Sequence, residues 1–333
     1  MALTFSELGR VEAIRQLFEG TPYKPFEEPL YLETKPRDCV TTATKLLSEG
    51  VDFNLVYFPL KHLGFKAVVE ATGELYAVMS TPSTLSVVFG VSSKLDFEQI
   101  SELWSGVVSA AQQYGYKSLS LDLQPSQNGL FISVAASGVT SHLTCTRRPK
   151  AQSKDLICVS GPLGAAYLGL QVLEKEKVKF EAGTSGKELL EQYKMLVAAY
   201  LKPELRPQTP AQLEDAEIYP SHGYFVSRGL ADAILRLQRD SHLGAKVYAD
   251  KIPFEGGSFQ LGREFDIDPV SAAMNGGDDC RLLFTVPILQ LEKFRKDFQT
   301  FDIIGHLALP EVGAVLVTPD GVELPLSAQG WNL

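Results

Sequence analysis

Two glycines and two carboxylates, Gly276, Gly277, Asp278 and Asp279, stand directly before an apolar stretch. Glycine lets a backbone approach a ligand closely, and adjacent acids at a strand end can hold a metal, a phosphate-linked cation or a cationic substrate. A tight turn with solvated acids gives the same pattern. The segment alone therefore leaves both a ligand-binding loop and a plain turn open.

Helical and strand-like stretches alternate along the chain and must position this segment. Apolar residues at three- and four-residue spacing predict helices over 5–19, 60–76, 97–111, 164–174, 187–201 and 227–239. Runs rich in β-branched and apolar residues predict strands over 39–44, 85–91, 118–123, 129–136, 155–161, 246–249 and 279–286. Segments 22–38 and 202–213 contain several prolines and are predicted to be irregular. This alternation indicates an α/β or α+β fold.

The composition becomes basic and polar at 144–154, and a new strand pattern begins at once. A chain of 333 residues is long enough for two ordinary domains, each with its own core. We therefore expect an N-terminal domain over 1–152 and a C-terminal domain over 153–333.

The composition argues against several classes of protein. No uninterrupted apolar run reaches about 18 residues, the length that spans a membrane, and residues 1–7 lack the pattern of a secretory signal. The formal net charge of −9 disfavours nonspecific nucleic-acid binding, which needs a dense basic surface. The four cysteines and five histidines show no zinc or redox spacing. We therefore expect a cytoplasmic protein that binds neither nucleic acid nor membrane.

Five segments together resemble the thiamine-monophosphate kinase family, whose members are related to aminoimidazole ribonucleotide synthetase. They occur in the family's order and cover nearly the whole chain. The segments are 48–53 (SEGVDF), 59–67 (PLKHLGFKA), 155–161 (DLICVSG), 275–286 (NGGDDCRLLFTV) and 328–331 (AQGW).

The resemblance implies a two-domain α/β protein with an aminoimidazole ribonucleotide synthetase-like fold. Its N-terminal sheets would pair in a homodimer, and ATP and substrate would bind between the domains. The family reaction transfers a phosphoryl group from ATP to thiamine phosphate and gives thiamine diphosphate. Such a transfer needs Mg²⁺ to neutralise charge on the phosphate oxygens, and Mg²⁺ prefers oxygen ligands such as carboxylates.

Carboxylates of the family's metal site are replaced at several positions of the N-terminal half. The position of Lys45 holds an aspartate in the family, and a Ser-Asp pair corresponds to Gly73 and Glu74. The Gly-Gly-Asp-Thr-Thr run appears as 120–124 (SLDLQ), which keeps Asp122 but loses the glycines. Because an ammonium group cannot ligate Mg²⁺, these replacements weaken the expected metal site.

The same pattern continues elsewhere. An Asp-x-Ser-Asp-Gly-Leu motif corresponds to 225–230, where Phe225 and Arg228 replace the two acids. The early Gly-Asp-Asp-Ala loop is absent from 26–34, and Asp52 replaces a histidine.

Several residues at family positions are retained. The resemblance assigns nucleotide binding to Thr44, Asp122, Arg148 and Ser227, substrate binding to Asp278 and Trp331, and residual metal binding to Glu74 and Asp122. Fold maintenance explains Asp278 and Trp331 equally well, since a Gly-Gly turn and a terminal tryptophan also pack.

The replacements suggest a physical hypothesis. If Lys45 and Arg228 project into the former metal cluster, they can pair with Asp122 and Glu74 and replace the divalent charge by fixed cations. The alternative, which general surface statistics favour, turns Lys45 and Arg228 outward to solvent.

Three functions remain open from the sequence. The favoured one is a family member with lost or reduced phosphoryl transfer that binds a nucleotide or thiamine-like ligand as a homodimer. The second is an active thiamine-phosphate kinase that uses ATP and Mg²⁺. The third is another ATP-dependent enzyme of the superfamily.

Overall fold

The computed structural model describes residues 8–24, 30, 32–183 and 188–328. The chain divides into two compact units. One comprises Met1–Leu75 with Met79–Cys145, and the other comprises Tyr76–Val78 with Thr146–Leu333. Within the described residues, no helix is both long enough and apolar enough to span a membrane.

The elements as far as residue 147 form helices beside a mixed four-stranded sheet. They are α1 (Arg10–Phe18), β1 (Cys39–Ser48), α2 (Leu60–Ala77), β2 (Thr81–Ser92), α3 (Phe97–Gln113), β3 (Ser118–Ser126), β4 (Phe131–Thr140) and α4 (His142–Arg147). The strand order is β1-β4-β2-β3, in which β2 and β3 run parallel and the other pairs are antiparallel.

Helix α3 shows why the periodic segments were predictable. Asp96 accepts a hydrogen bond from the Gln99 backbone while the Gln99 side chain accepts one from the Asp96 backbone, so the first turn is capped in both directions. Its apolar face, which includes Trp104, is buried. Gly115 then takes φ of +75°, a conformation that ends the helix at little steric cost. The prediction over 97–111 is confirmed.

The two faces of the first sheet differ. Along one cross-strand row Lys45 lies beside Val134, Val87 and Leu121, and these three neighbours are buried. The adjacent row points to the opposite face and contains exposed Leu46 in β1. In β1 the residues on this open face are Val40, Thr42, Thr44 and Leu46, all exposed. Among the described residues, helices therefore cover the first face, whereas the β1 part of the second face is open.

The second unit is built around a seven-stranded sheet. Its elements are β5 (Leu156–Val159), α5 (Ala165–Glu181), α6 (Glu188–Gln192), α7 (Lys194–Leu201), α8 (Thr209–Asp215), β6 (Gly223–Val226), α9 (Leu230–Ser241), β7 (Gly244–Tyr248), α10 (Ser258–Phe265), α11 (Pro269–Asn275), β8 (Arg281–Val286), α12 (Leu291–Asp297), β9 (Asp302–Ala308), β10 (Ala314–Val317) and β11 (Glu323–Pro325), with short 3-10 helices at Ala249–Lys251, Ile288–Gln290 and Pro310–Val312. The strand order is β11-β10-β7-β9-β5-β8-β6, and only β7 and β10 are parallel neighbours. The mixed α/β class is confirmed.

Some predictions of secondary structure were wrong. Segment 202–213 was predicted to be irregular, yet α8 begins there at Thr209. Pro210 is tolerated because it lies in the first turn, where backbone N–H groups make no hydrogen bond within the helix. The helix predicted over 187–201 is divided into α6 and α7. The starts of the helices predicted over 5–19 and 187–201 lie outside the described residues. Strands β6, β9, β10 and β11 were not predicted, since they are short and lack a clear alternation.

The crossing of α2 and α3 depends on glycine at the contact. A Cβ added to Gly106 would lie 1.9 Å from the carbonyl oxygen of Lys61, and one added to Gly64 would lie 2.0 Å from that of Leu103. The two helices therefore pack backbone against backbone, and no larger residue fits without separating them.

We expect Gly106→Ala to lower the free energy of unfolding by about 3 kcal/mol, measured by urea denaturation, because the helices must move apart. Intrinsic helix propensity alone would favour alanine by about 1 kcal/mol, so the sign separates packing from propensity. Ser109→Ala, at an exposed position of α3, is the matched control and should change stability little. An unchanged or raised stability in Gly106→Ala would contradict the close crossing.

Candidate functional site

Lys45 lies on the helix-covered face of the first sheet and points toward α2. Its Nζ atom is 2.7 Å from Oε1 of Glu74 and 3.9 Å from Oε2 of Glu70. The side chains of Lys45, Glu74 and Glu70 are 18%, 28% and 9% exposed, so the group is largely withdrawn from water. A lysine ammonium thus stands against the carboxylate of Glu74.

These contacts decide between the two expectations for Lys45. Its side chain does not turn outward to solvent, and the hypothesised pairing with Glu74 is confirmed. Arg228, in contrast, is an exposed residue of the second unit.

Asp122 lies in β3 on the open face and is paired with a different cation, Arg10 of α1. Its carboxylate accepts hydrogen bonds from Nε of Arg10 at 3.0 Å and from Nη2 of the same side chain. The backbone N–H of Leu123 donates at 2.8 Å and Nε2 of Gln124 at 3.0 Å. Partial burial would by itself raise the pKa of Asp122, but the hydrogen bonds from Gln124 and Arg10 and the charge of Arg10 lower it overall.

The residues present do not fit a Mg²⁺ ion held jointly by Glu74 and Asp122 within one copy of the chain. Glu74 is held by Lys45 on the covered face, whereas Asp122 lies in the adjacent row on the open face. Each carboxylate already has a cationic hydrogen-bond donor. The protonated side chains of Lys45 and Arg10 have no free electron pair with which to ligate Mg²⁺, which prefers oxygen ligands. Within the part of the chain that the structure describes, no group of three or more His, Cys, Asp or Glu side chains is arranged to hold a metal ion.

Thr44 is exposed on the open face of β1, opposite Ala135 of β4. It shares this face with Asp122 but lies three strands away, which at about 4.8 Å per strand is roughly 14 Å or more. The acids of segment 48–53 have structural roles. Glu49 accepts from the backbone of Leu130 at 2.8 Å, and Asp52 accepts from the backbone of Ser48 at 2.7 Å.

A cavity of about 790 Å³ lies at the carboxyl ends of the parallel strands β2 and β3. It is bounded by residues 91–96, which lead into α3, and by residues 123–127. Arg10 and Lys94 provide cations at its wall. Ligands of open α/β sheets commonly bind beyond the carboxyl ends of parallel strands. No local pattern in the sequence signals this cavity, because its wall combines Arg10, residues 91–96 and residues 123–127, which are far apart in the chain.

The glycine- and acid-rich segment of the second unit is a loop with three left-handed residues. Gly277, Asp278 and Cys280 have φ of +80°, +62° and +52°. Asp279 is buried, and its carboxylate accepts hydrogen bonds from the N–H groups of Gly164 at 2.7 Å and Ala166 at 3.2 Å. Asp279 therefore satisfies the N-terminus of α5 rather than facing a ligand.

Burial raises the pKa of Asp279 to about 7, although the two backbone donors and the charge of Arg281 act in the opposite direction. The backbone N–H of Asp278 donates to the carbonyl oxygen of Ser227 at 2.8 Å. Two residues assigned by resemblance to ligand binding, Ser227 and Asp278, are therefore adjacent in space.

The remaining predicted residues occupy separate places. Arg148 donates through Nη2 to the carbonyl oxygen of Val78 at 3.0 Å, just beyond the end of α2. Phe225, at a position where the family has an acid, is fully buried, and its hydrocarbon side chain has no atom that could ligate a metal. Trp331 lies outside the described residues.

A second cavity of about 420 Å³ is lined in part by Asn275, whose buried Oδ1 has no hydrogen-bond partner among the described residues.

Comparison with known proteins agrees with this architecture. The model of the family "AIR synthase related protein, N-terminal domain" matches residues 27–140. The thiamine-monophosphate kinase of Aquifex aeolicus is 24% identical over 282 residues, which cover 84% of this chain and 86% of that protein. The thiamine-monophosphate kinase of Methanospirillum hungatei is 26% identical over 295 residues, which cover 88% of each chain.

Solved structures share the fold. The structure "AaThiL complexed with AMPPCP and TMP" has a TM-score of 0.72 at 22% identity and covers 88% of this chain and 87% of that chain. The hydrogenase maturation protein HypE in complex with ATP has a TM-score of 0.66 at 17% identity and covers 98% of this chain and 94% of that chain.

The N-terminal region thus matches the AIR synthase-related domain, and the chain as a whole has an AIR synthase-like fold. Thiamine-monophosphate kinases resemble this chain over most of its length, at 24% and 26% identity for the two named above.

A double-mutant cycle with Lys45→Met and Glu74→Gln measures the contribution of the ion pair. We expect a coupling free energy of about 2 kcal/mol from urea denaturation, because the pair is largely shielded from water. The matched control is the pair of Arg147 and Glu217, separated by 2.9 Å with side chains 47% and 65% exposed, for which we expect less than about 1 kcal/mol. Equal coupling in the two cycles would show that the Lys45 pair is merely a surface contact.

Proposed function

We propose that this chain is a thiamine-monophosphate kinase-like protein that binds a nucleotide and a thiamine-like ligand and has lost or reduced ATP-dependent phosphoryl transfer. The observation that carries the proposal is the 2.7 Å contact between Nζ of Lys45 and Oε1 of Glu74. It puts an ammonium group where the resemblance predicts carboxylate ligands.

Phosphoryl transfer by this class of chemistry relies on Mg²⁺ to bridge and neutralise phosphate oxygens while the reacting groups are held in line. Lys45 and Arg10 neutralise Glu74 and Asp122 through fixed hydrogen bonds. A carboxylate held in this way has less negative charge to offer a metal.

The ligand assignments rest on two cavities and on the relatives. The cavity of about 790 Å³ beside Arg10 and Lys94 has the volume for a nucleotide, and Lys94 supplies a cation at its wall, whereas Arg10 is paired with Asp122. The cavity of about 420 Å³ beside Asn275 is our candidate for a thiamine-like ligand, since it has an unpaired buried acceptor. The family relative AaThiL was solved with AMPPCP and TMP, and HypE was solved with ATP.

An active kinase is the second candidate function. It is favoured by the family match, in which named thiamine-monophosphate kinases cover 84% and 88% of this chain. In that case ATP and Mg²⁺ would be bound through ligands other than the paired carboxylates. The third possibility, another ATP-dependent enzyme of the superfamily, has no specific observation in its favour.

Steady-state formation of thiamine diphosphate from ATP and thiamine phosphate separates the first two functions, with the Aquifex aeolicus kinase as the positive control. We expect turnover far below about 1 s⁻¹, the low end of ordinary enzymes. Calorimetric titration should show ATP binding that does not depend on Mg²⁺. Turnover near 1 s⁻¹ would establish an active kinase, and a complete lack of ATP binding would refute the ligand-binding role.

We also propose that the chain forms a homodimer through the open face of the first sheet. The exposed residues Val40 and Leu46 give this face an apolar character, and their side chains are 53% and 61% exposed. Since sheets with one uncovered apolar face commonly bury it against a partner, a second copy is the expected occupant.

The dimer is tested by sedimentation equilibrium of Leu46→Lys, which places a charge in the proposed interface. We expect the dimer dissociation constant to rise at least tenfold. Val178→Lys, at an exposed apolar position of α5 in the second unit, is the matched control and should leave association unchanged. A monomeric wild-type chain, or equal effects of both substitutions, would contradict the proposed interface.

A further inference from the structure

A separate cavity of about 350 Å³ in the second unit is lined by several cationic side chains. Lys154 precedes β5, Lys251 lies in the 3-10 helix after β7, and Arg295 lies in α12. Three separate segments therefore bring positive charge to one place. No aspartate or glutamate is among the described residues that line this cavity.

The positive charges at this cavity have no ion-pair partner among the described residues. Within the described residues, no carboxylate lies within salt-bridge distance of Lys154, Lys251 or Arg295. The nearest acid in sequence, Asp155, is buried and accepts hydrogen bonds from the backbone N–H groups of Gln152 at 2.8 Å and Ile288 at 3.4 Å. In a chain of formal charge −9, an unneutralised basic cavity is an unusual concentration of charge.

The backbone around the cavity has irregularities that place these groups. Lys154 has φ of +78°, a left-handed conformation that is unfavourable for a residue with a long side chain. The register of β5 and β9 shifts between Ile157 and Cys158, so β9 bulges beside the cavity residues Ile303 and Gly305. Bulges of this kind commonly occur beside binding sites, where they redirect side chains.

An aromatic and polar wall completes the cavity. The Nζ atom of Lys251 lies 4.6 Å from the centre of the Tyr248 ring, and the Tyr248 hydroxyl is 3.4 Å from Nδ1 of His306. Burial lowers the pKa of His306, and the charges of Lys246 and Lys251 lower it further. The pKa of the imidazole is thus sensitive to the positive charge near it, although Lys246 itself pairs with Glu323.

We propose that this cavity binds a small phosphate ester, with the phosphate among Lys154, Lys251 and Arg295 and the organic part against Tyr248 and the neighbouring apolar side chains. The volume is at the low end of ligand sites, which favours a compact molecule over a whole nucleotide. All of these residues belong to the second unit. The site is therefore independent of the proposed kinase-related function and stands if that function fails.

The test is an NMR titration of the full-length chain, followed through the His306 imidazole signal. The probes are phenyl phosphate, inorganic phosphate and phenol, each added at constant ionic strength in a series of pH values. We expect both anions to bind and to raise the pKa of His306, since a bound anion offsets the nearby cations, whereas phenol should not. Phenyl phosphate should bind more tightly than inorganic phosphate because its ring contacts Tyr248.

Charge reversal locates the site. Arg295→Glu should weaken phenyl phosphate binding at least tenfold, and Lys251→Gln should weaken it severalfold. Lys293→Glu makes the same charge change at an exposed position of α12 outside the cavity and is the matched control. The proposal fails if sodium chloride causes the same change in the His306 signal, or if the signal does not change at about 10 mM probe, a concentration at which a millimolar dissociation constant would be detected. It also fails if Lys293→Glu weakens binding as much as Arg295→Glu. Thermal unfolding of each variant identifies any loss of fold, in which case the conservative Arg295→Gln replaces Arg295→Glu.

Discussion

The close crossing of α2 and α3 is the constraint on which the first unit depends. Gly64 and Gly106 allow the two helix backbones to touch, which sets the position of α2 against α3. Glu70 and Glu74 of α2 come within reach of Lys45 on the covered face. In β1 the residues on the opposite face are exposed. The close crossing therefore supports the helix that carries the acidic partners of Lys45.

Charge replacement takes two forms in this unit, and their surroundings differ. Lys45 and Glu74 are largely shielded from water, so their attraction is weakly screened and removing either partner leaves a charge that is costly to keep. Arg10 and Asp122 are 55% and 33% exposed, and their attraction is more strongly screened. In both cases the cation is covalently part of the chain. It cannot move with a phosphoryl group as an exchangeable Mg²⁺ ion can, which is why the resemblance to kinases and the proposed reduction in transfer are compatible.

The sequence was sufficient for features encoded by local pattern. The capped, amphipathic α3 and the alternating strands of the first sheet were predictable, and comparison of motifs led from Lys45 to Glu74. It was insufficient where the determining contact is distant, as with Arg10 and Asp122, which are 112 residues apart. It also could not show that Asp279 is buried and accepts hydrogen bonds at the N-terminus of α5. The backbone conformation decides which of two adjacent acids points inward, and the residue types do not reveal it. Short strands such as β6 form because neighbouring strands complete their hydrogen bonds, and no local signal reveals that.

The second unit shows the reverse electrostatic arrangement from the first. In the first unit the predicted metal-binding acids have cationic partners, so little net charge remains at those positions to attract a cation. In the second, Lys154, Lys251 and Arg295 surround a cavity with no lining acid among the described residues, so their combined field is directed into it. Because an acidic chain repels anions at long range, a local basic cavity with low-dielectric walls is the arrangement that can still capture one. Anion binding is therefore expected at this cavity, whose lysine and arginine side chains have no acidic partner among the described residues. The family motifs do not reveal this cavity.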